Sequence, residues 1–454
     1  MTNVALILVT DPQKSLEDHL GIPLLKRTVL SAQEGGIEKF IIVAEDARER
    51  LSTLLSGDDR VRSTIHWSDG DNLSDQLKGR LSESIMIIKA EAVFDSDLIE
   101  KMDLLELGDA AACIAVRKGV KGSGAGQCTI KLSGDDVVDC SVQSSTEASP
   151  PFVGRDPYRT DGNRSHDATI DAQTAGLILA RPDASKGIAV KVANGHIDLC
   201  NIVEGLLSVG KVRAIDVTNE LCMEITSRET VQESKKKMYK LLGLATDSPF
   251  SVHVNRKLSR LVSGVLIRFP ITPNQITLLS FFTGLVACWF FLQGGYRYSV
   301  LGAMVFYASV ILDLSDGEVA RLKFMGSKYG AVFDTICDSI VYSGVMFCMA
   351  LAIHRSTHMP NAITVGAVAA GAMFICSNLD FYLHFMETDR EKDQRNPLMR
   401  SFANEDYFLL SLLGFTVFDK LSWYLWTVAA GTTVYMFMLI GKLMISRFSG
   451  EKAQ

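Results

Sequence analysis

The sequence predicts a two-part protein, a soluble α/β domain followed by an all-α integral membrane domain of six transmembrane helices. Three observations carry that prediction. Short apolar runs alternate with charged, helix-patterned stretches through the first half, whereas long apolar stretches dominate the second. A basic amphipathic segment, VHVNRKLSRLVSGVLIRF, stands where the two regimes meet. Beyond it, acidic residues recur at helical spacing inside apolar sequence, from Asp313 to Asp338. The 454 residues suffice for two or three domains, and a net charge of −6 argues against a nucleic-acid binder with a basic face.

Residues 1–245 form the predicted α/β domain. VALILV (4–9) reads as a buried first strand; it has no basic region before it and is too short for a leader. IPLLKRTVLSAQEGG reads as a helix ending at Gly35-Gly36, and KFIIVA as a second strand. A polar helix (ARERLSTLLS) and strands at STIHW, SIMIIKA, AACIAV, QCTIKL, AGLILA and VRAIDV follow. Strands alternating with helices imply a largely parallel sheet. The Ser/Pro/Gly-rich span from Ser141 to Ala168 reads as a loop. The nine cysteines are scattered without a C-x-x-C and read as reduced thiols. From Ser227 to Gly243 the chain is helical and basic, suited either to solvent or to anionic lipid.

Residues 246–272 are expected to form a linker and an interfacial amphipathic helix. Residues 273–446 are expected to hold spans at roughly 274–293, 298–320, 330–353, 361–386, 406–418 and 421–445, with 447–454 a tail. Arg321, Lys323, Lys328, Arg390, Lys392, Arg395, Arg400, Arg447 and Lys452 then fall on one side, and only Arg297, Arg355 and Lys420 on the other. The positive-inside rule puts the N-terminal domain and the C-terminus in the cytoplasm.

The acidic stretch reads Asp313-x-x-Asp316-Gly317-x-x-Ala320-Arg321, eight residues, then Gly330-x-x-x-Asp334-x-x-x-Asp338. On a 3.6-residue period 313, 316, 317 and 320 share one stripe, and 330, 334 and 338 share another. Four carboxylates are therefore expected to face one another across a groove floored by Gly and Ala. A carboxylate at a bilayer centre costs about 2.5–3.5 kcal/mol, so such a group must face water and bind cations. Oxygen-only ligands suit Mg2+, Mn2+ or Ca2+.

At every fixed position this pattern resembles the signature of the CDP-alcohol phosphotransferase family. The resemblance extends over roughly residues 250–446, including Asn255-Arg256 and Pro273-Asn274-x-Ile276-Thr277. It implies transfer of a phosphoalcohol group from a CDP-alcohol to an acceptor hydroxyl with release of CMP, and a homodimer in the bilayer. It implies two metal ions held by Asp313, Asp316, Asp334 and Asp338, with Asp338 also the general base. Asp313, Gly317, Ala320, Arg321, Gly330, Asn274 and Thr277 are expected to contact the nucleotide. For Arg321 a snorkelling role is the alternative, and for Asn274 and Thr277 a plain helix cap. The basic residues Arg390, Arg395 and Arg400 could hold a phosphorylated acceptor. A non-catalytic metal-binding or transport protein is the reading of another class.

The first half resembles the sugar-phosphate nucleotidyltransferases, particularly cytidylyltransferases fused to CDP-alcohol phosphotransferases. The order of elements agrees, as do phrases such as GIPLLKRTVLSAQEGGIEKFIIV. The catalytic pieces depart. Where a Gly-rich, Arg-bearing phosphate loop is expected stands Thr10-Asp11-Pro12-Gln13-Lys14-Ser15, and the two metal-binding Asp positions fall on Glu91 and Glu224. The expectation is a degenerate domain. The alternative is a bifunctional enzyme that also makes its CDP-alcohol, such as CDP-inositol, from CTP.

Overall fold

The computed structural model describes residues 2–44, 48–68, 84–105, 107–119, 128–142, 170–184, 188, 198–243, 250–386 and 405–450. The chain divides into two compact units, Met1–Lys240 and Leu241–Gln454.

In the first unit β1 (Val4–Leu8), β2 (Lys39–Val43), β3 (Thr64–Ser68) and β4 (Ile85–Lys89) run parallel, as the strand–helix alternation predicts. The ribbon strand β5 (Ala92–Phe94) follows, then β6 (Ala112–Lys118), β7 (Cys128–Ser133), β8 (Asp136–Val142), β9 (Ile170–Ala180), β10 (Val212–Asp216) and β11 (Cys222–Glu224). Among the described residues the main sheet has the order β3-β2-β1-β4-β9-β6-β10-β8-β7. β9 runs antiparallel between β4 and β6, so the sheet is mixed. β8 was not expected from the sequence; it pairs with β7 across a turn in which Gly134 takes φ +64°.

The pleat explains the two-sided core. Val4, Leu6 and Leu8 point into one apolar cluster, while Ala5, Ile7 and Val9 point into the other. The helices α1 (Pro12–Ser15), α2 (Leu24–Glu34), α3 (Arg48–Ser56), α4 (Ser96–Asp103), α5 (Leu199–Val209) and α6 (Arg228–Leu241) accompany the sheet. α2 stops at Gly35-Gly36 as expected: Gly36 takes φ +96°, and the amides of Gly36 and Ile37 donate to the carbonyls of Gln33 and Ala32. On the basic helix α6, Lys237 donates to the carbonyls of Thr218 and Glu220, so this lysine is not part of a freely solvated face. One expectation is corrected here. Cys128 of β7 and Cys200 of α5 form a disulfide across a separation of 72 residues, and no sequence spacing signals that pairing.

The second unit is helical among the described residues. α7 (Arg256–Leu266) is followed by α8 (Pro273–Gln293), α9 (Tyr296–Leu322), α10 (Lys328–Thr357), α11 (Ala362–Met386), α12 (Glu405–Val417) and α13 (Leu421–Gly450). Five of them, α8, α9, α10, α11 and α13, are long and apolar enough to cross a membrane. α12 has 13 residues, a length of about 20 Å against a hydrocarbon core of about 30 Å. Small residues let the helices close on one another. A Cβ at Gly284 of α8 would lie 2.4 Å from Val341 Cγ1 of α10, and one at Gly366 of α11 would lie 2.1 Å from Ala350 Cβ of α10. These approaches fix α8 and α11 on α10, which carries half of the acidic motif.

In the first unit His19 is buried, with Nε2 2.8 Å from the Ser234 hydroxyl. Burial, then the charges of Arg27 and Lys235, pushes its pKa down to about 3. The unfolded chain takes up this proton near the ordinary value of 6.5 and the folded chain only near 3. The imidazole's contribution to stability is therefore complete above the unfolded value and is lost as pH falls through that window. Thermal unfolding of the full chain should show a midpoint that drops between pH 7 and about pH 4.5, and His19→Gln should reduce the drop. An equal drop in the variant would remove His19 from the account.

Candidate active site

Two local structures bring the acidic stripes side by side. α9 ends in a Schellman motif: Phe324 takes φ +53°, its amide donates to the Arg321 carbonyl, and the Met325 amide donates to the Ala320 carbonyl at 2.8 Å. Lys323 caps the same helix end and donates from Nζ to the Phe269 carbonyl at 2.8 Å. α10 then opens on Ser327, whose hydroxyl accepts from the Gly330 amide at 3.0 Å. The last turns of α9 thus lie beside the first turns of α10. Asp334 is the seventh residue of α10, near the end of its second turn.

Asp313, Asp316 and Asp334 each offer a carboxylate oxygen, and those atoms lie within 4.8 Å of one another. Asp316 is buried; the other two are half-buried. Thr277 of α8 is buried beside them and donates its hydroxyl to Asp316. Of the four carboxylates, three meet. Asp338, half-buried, stands one turn further along α10 from Asp334, about 6 Å along the axis, outside that three-residue cluster.

The small residues border the acids. Gly317 and Ala320 continue the α9 stripe, and the Arg321 side chain folds back so that a Cβ at Gly317 would lie 3.6 Å from its Nη1. Arg321 is exposed and also donates to the Leu242 carbonyl at 3.5 Å. Gly330 faces α8, where a Cβ would lie 3.2 Å from Asn274 Oδ1. Asn274, Thr277 and Gly330 therefore come to the same end of the unit as the carboxylates. Arg390, Arg395 and Arg400 lie outside the described residues. Asp380 of α11 accepts from the Tyr435 hydroxyl of α13 at 3.3 Å.

Asn255 and Arg256, carried by the resemblance alone, serve as pins. Asn255 donates to Asp406 of α12 at 2.6 Å and accepts from the Tyr307 hydroxyl of α9 at 2.8 Å. Arg256 reaches Glu318 of α9 at 3.5 Å. Glu318 itself was missed by sequence reasoning. It is fully buried next to Gly317, and the hydroxyls of Ser259 and Ser263 donate to its two oxygens at 2.7 Å each. Arg256, Ser259 and Ser263 recur every three or four residues on α7, which was the available signal. The polar face of α7 is thus turned inward, while Leu258, Leu261 and Val265 are exposed.

Residues 270–383 match the family model of the CDP-alcohol phosphatidyltransferases. The second unit carries a domain of that family, and the chain is a phosphotransferase enzyme. Over 382 residues it is 23% identical to a bifunctional IPC transferase and DIPP synthase of Aquifex aeolicus, covering 83% of this chain and 80% of that protein. A protein of the same description from Rubrobacter xylanophilus is 25% identical over 369 residues, covering 80% of this chain and 77% of its own length. A phosphatidylinositol phosphate synthase of Corynebacterium glutamicum is 33% identical over 107 residues, 24% of this chain and 45% of that one. The inositol-1-phosphate CTP transferase from T. maritima aligns at a TM-score of 0.36 and 12% identity, covering 52% of this chain and 96% of its own.

Glu318 supplies a test of how the site is held. Removing one partner of a buried ion pair costs about 3–5 kcal/mol because the other charge stays buried. Glu318→Ala should therefore lower the thermal midpoint of the full chain sharply, and Ser263→Ala should lower it less, by the cost of one hydrogen bond. A Glu318→Ala midpoint equal to that of the parent would contradict the pinning role.

Proposed function

We propose that this chain transfers a phosphoalcohol group from a CDP-alcohol to an acceptor hydroxyl and releases CMP. The observation that carries the reading is the meeting of Asp313, Asp316 and Asp334 within 4.8 Å, inside a domain whose family is named for CDP-alcohols. Carboxylates from two helices, with no nitrogen or sulfur among them, suit Mg2+ or Mn2+, with Ca2+ an alternative occupant. These three, with Asp338 at the edge, would hold one or two such ions, which when bound neutralise the diphosphate.

The chain's own residues supply the rest. Thr277 fixes the rotamer of Asp316 through its hydroxyl. Gly317 and Ala320 leave the α9 backbone open to cytosine and ribose, Gly330 and Asn274 lie beneath them, and the Arg321 fork serves the phosphates. The acceptor oxygen bonds to the phosphorus that bears the alcohol, and the bond from that phosphorus to the CMP oxygen breaks with its electrons leaving on CMP. Asp338 takes the acceptor's proton; its place one turn beyond Asp334 leaves room for an incoming hydroxyl.

The names of the relatives, among them a phosphatidylinositol phosphate synthase, support an inositol-type phosphorylated polyol as acceptor. Arg390, Arg395 and Arg400 would then answer its phosphate. We further propose that all six helices α8–α13 belong to the membrane domain and that α7 lies in the interface with its exposed leucines toward lipid. The N-terminal unit and the C-terminus face the cytoplasm, and the protein works as a homodimer joined through its membrane helices. The balance of basic residues supports this orientation.

The test is CMP release by the purified full chain from a panel of CDP-alcohols and phosphorylated polyols with Mg2+ present. Asp338→Asn should slow release by about 10²–10⁴-fold. CMP release undiminished in that variant would contradict the assignment of the base. No release from any donor by the parent would contradict the transfer itself.

A further inference from the structure

Ligands of open α/β sheets bind at the carboxyl ends of the parallel strands. At that edge of the first unit, directly after β1 and β4, stand Thr10–Ser15 and Glu91. The antiparallel ribbon of β5 and β11 sets Glu224 opposite Ala92, and the Ile225 amide donates to the Glu91 carbonyl at 2.9 Å. Two buried carboxylates thus lie on adjacent backbone segments at the edge where a nucleotide-binding metal is expected from the resemblance.

Both are already answered by the chain. Glu91 Oε1 accepts from the Asp11 amide at 3.0 Å and the Ser15 hydroxyl at 2.9 Å, and its Oε2 accepts from the Thr10 hydroxyl at 3.0 Å. Glu224 Oε1 accepts from the Thr174 hydroxyl at 2.5 Å, and Oε2 holds the Lys89 ammonium at 2.8 Å. Lys14 donates to the Thr226 carbonyl at 3.0 Å and so ties the segment after β1 across to the chain that follows β11. Gly176 packs so closely that a Cβ there would lie 2.8 Å from Ala92 Cβ and 3.2 Å from Glu224 Cγ. A divalent ion does not fit this set: the Lys89 ammonium already stands 2.8 Å from Glu224 Oε2, so a cation placed there would meet a fixed positive charge, and three donors of the segment after β1 hold Glu91.

We propose that Lys89 takes the place of the metal ion, that the N-terminal unit performs no CTP-dependent nucleotidyl transfer, and that the CDP-alcohol comes from a separate nucleotidyltransferase. In that supplying reaction the phosphate oxygen of an alcohol phosphate bonds to the α-phosphorus of CTP and pyrophosphate leaves. The last clause rests on the transfer proposed above for the membrane unit; the first two do not.

The experiment uses the full chain in detergent and has three arms. CMP release from CDP-alcohols reads the transfer alone. Incubation with CTP, Mg2+ and a panel of polyol phosphates should yield no pyrophosphate above a protein-free blank. Mn2+ titration followed by electron paramagnetic resonance, in an Asp313→Asn/Asp334→Asn chain with CTP present, should find no bound ion. Adding Lys89→Ala to that chain should gain one. If that variant does not fold, the Lys89-bearing chain decides. Pyrophosphate formation, or a bound Mn2+ in the Lys89-bearing chain that disappears with Glu224→Gln, would overturn the proposal. Loss of CMP release alone would strike the transfer and leave the state of Glu91 and Glu224 to the other two arms.

Discussion

Carboxylates brought within 4.8 Å of one another repel, and they do so more strongly in apolar surroundings than in water. A fold that sets Asp313, Asp316 and Asp334 so close must supply positive charge at that point or protonate them. Most of the second unit can be understood as what holds this arrangement in place. The left-handed Phe324 turn and the Ser327 cap return the chain within a few residues, so that α10 begins beside the acids of α9. Gly284 and Gly366 let α8 and α11 close on α10. The α7 clamp on Glu318 restrains α9 one residue beyond Gly317.

The first unit pairs its buried acids with donors of its own. Glu91 and Glu224 are buried on adjacent backbone segments, and hydroxyls, an amide and an ammonium between them meet their four oxygens. The Lys89 pKa follows from that contact: burial pushes it down, but the charge and hydrogen bond of Glu224, followed by the charge of Glu91, outweigh burial and raise it. The lysine therefore stays charged at neutral pH. Groups that would have to stay available for an ion and a nucleotide are used internally, and the unit gains a closed polar core at that edge.

What the sequence made legible is what depends on local period and on length. The i, i+3, i+4, i+7 stripe of Asp313, Asp316, Gly317 and Ala320 survives in α9, and long apolar runs became helices long enough to cross a membrane. The end of α2 at Gly35-Gly36 was readable because glycine alone takes that turn cheaply. What escaped depends on distant partners. Ser259 and Ser263 meet Glu318 across more than fifty residues, and Lys89 meets Glu224 across 135. The recurrence of Arg256, Ser259 and Ser263 on α7 marks a polar face but not its partner, and the Lys89–Glu224 pairing leaves no periodic trace. The direction of β9 and the Cys128–Cys200 bridge escaped for the same reason. The acid stripes implied four facing carboxylates, but a rise of about 6 Å per four residues sets Asp338 one turn beyond the three that meet.

The most direct measurement is anomalous X-ray diffraction at the manganese edge from crystals of the full chain grown with Mn2+ and a CDP-alcohol. The account predicts a manganese peak bounded by oxygens of Asp313, Asp316 and Asp334, beside the diphosphate, and none between Glu91 and Glu224. Density for the nucleotide with no metal among those three aspartates, or a peak at the Glu91–Glu224 pair, would contradict it.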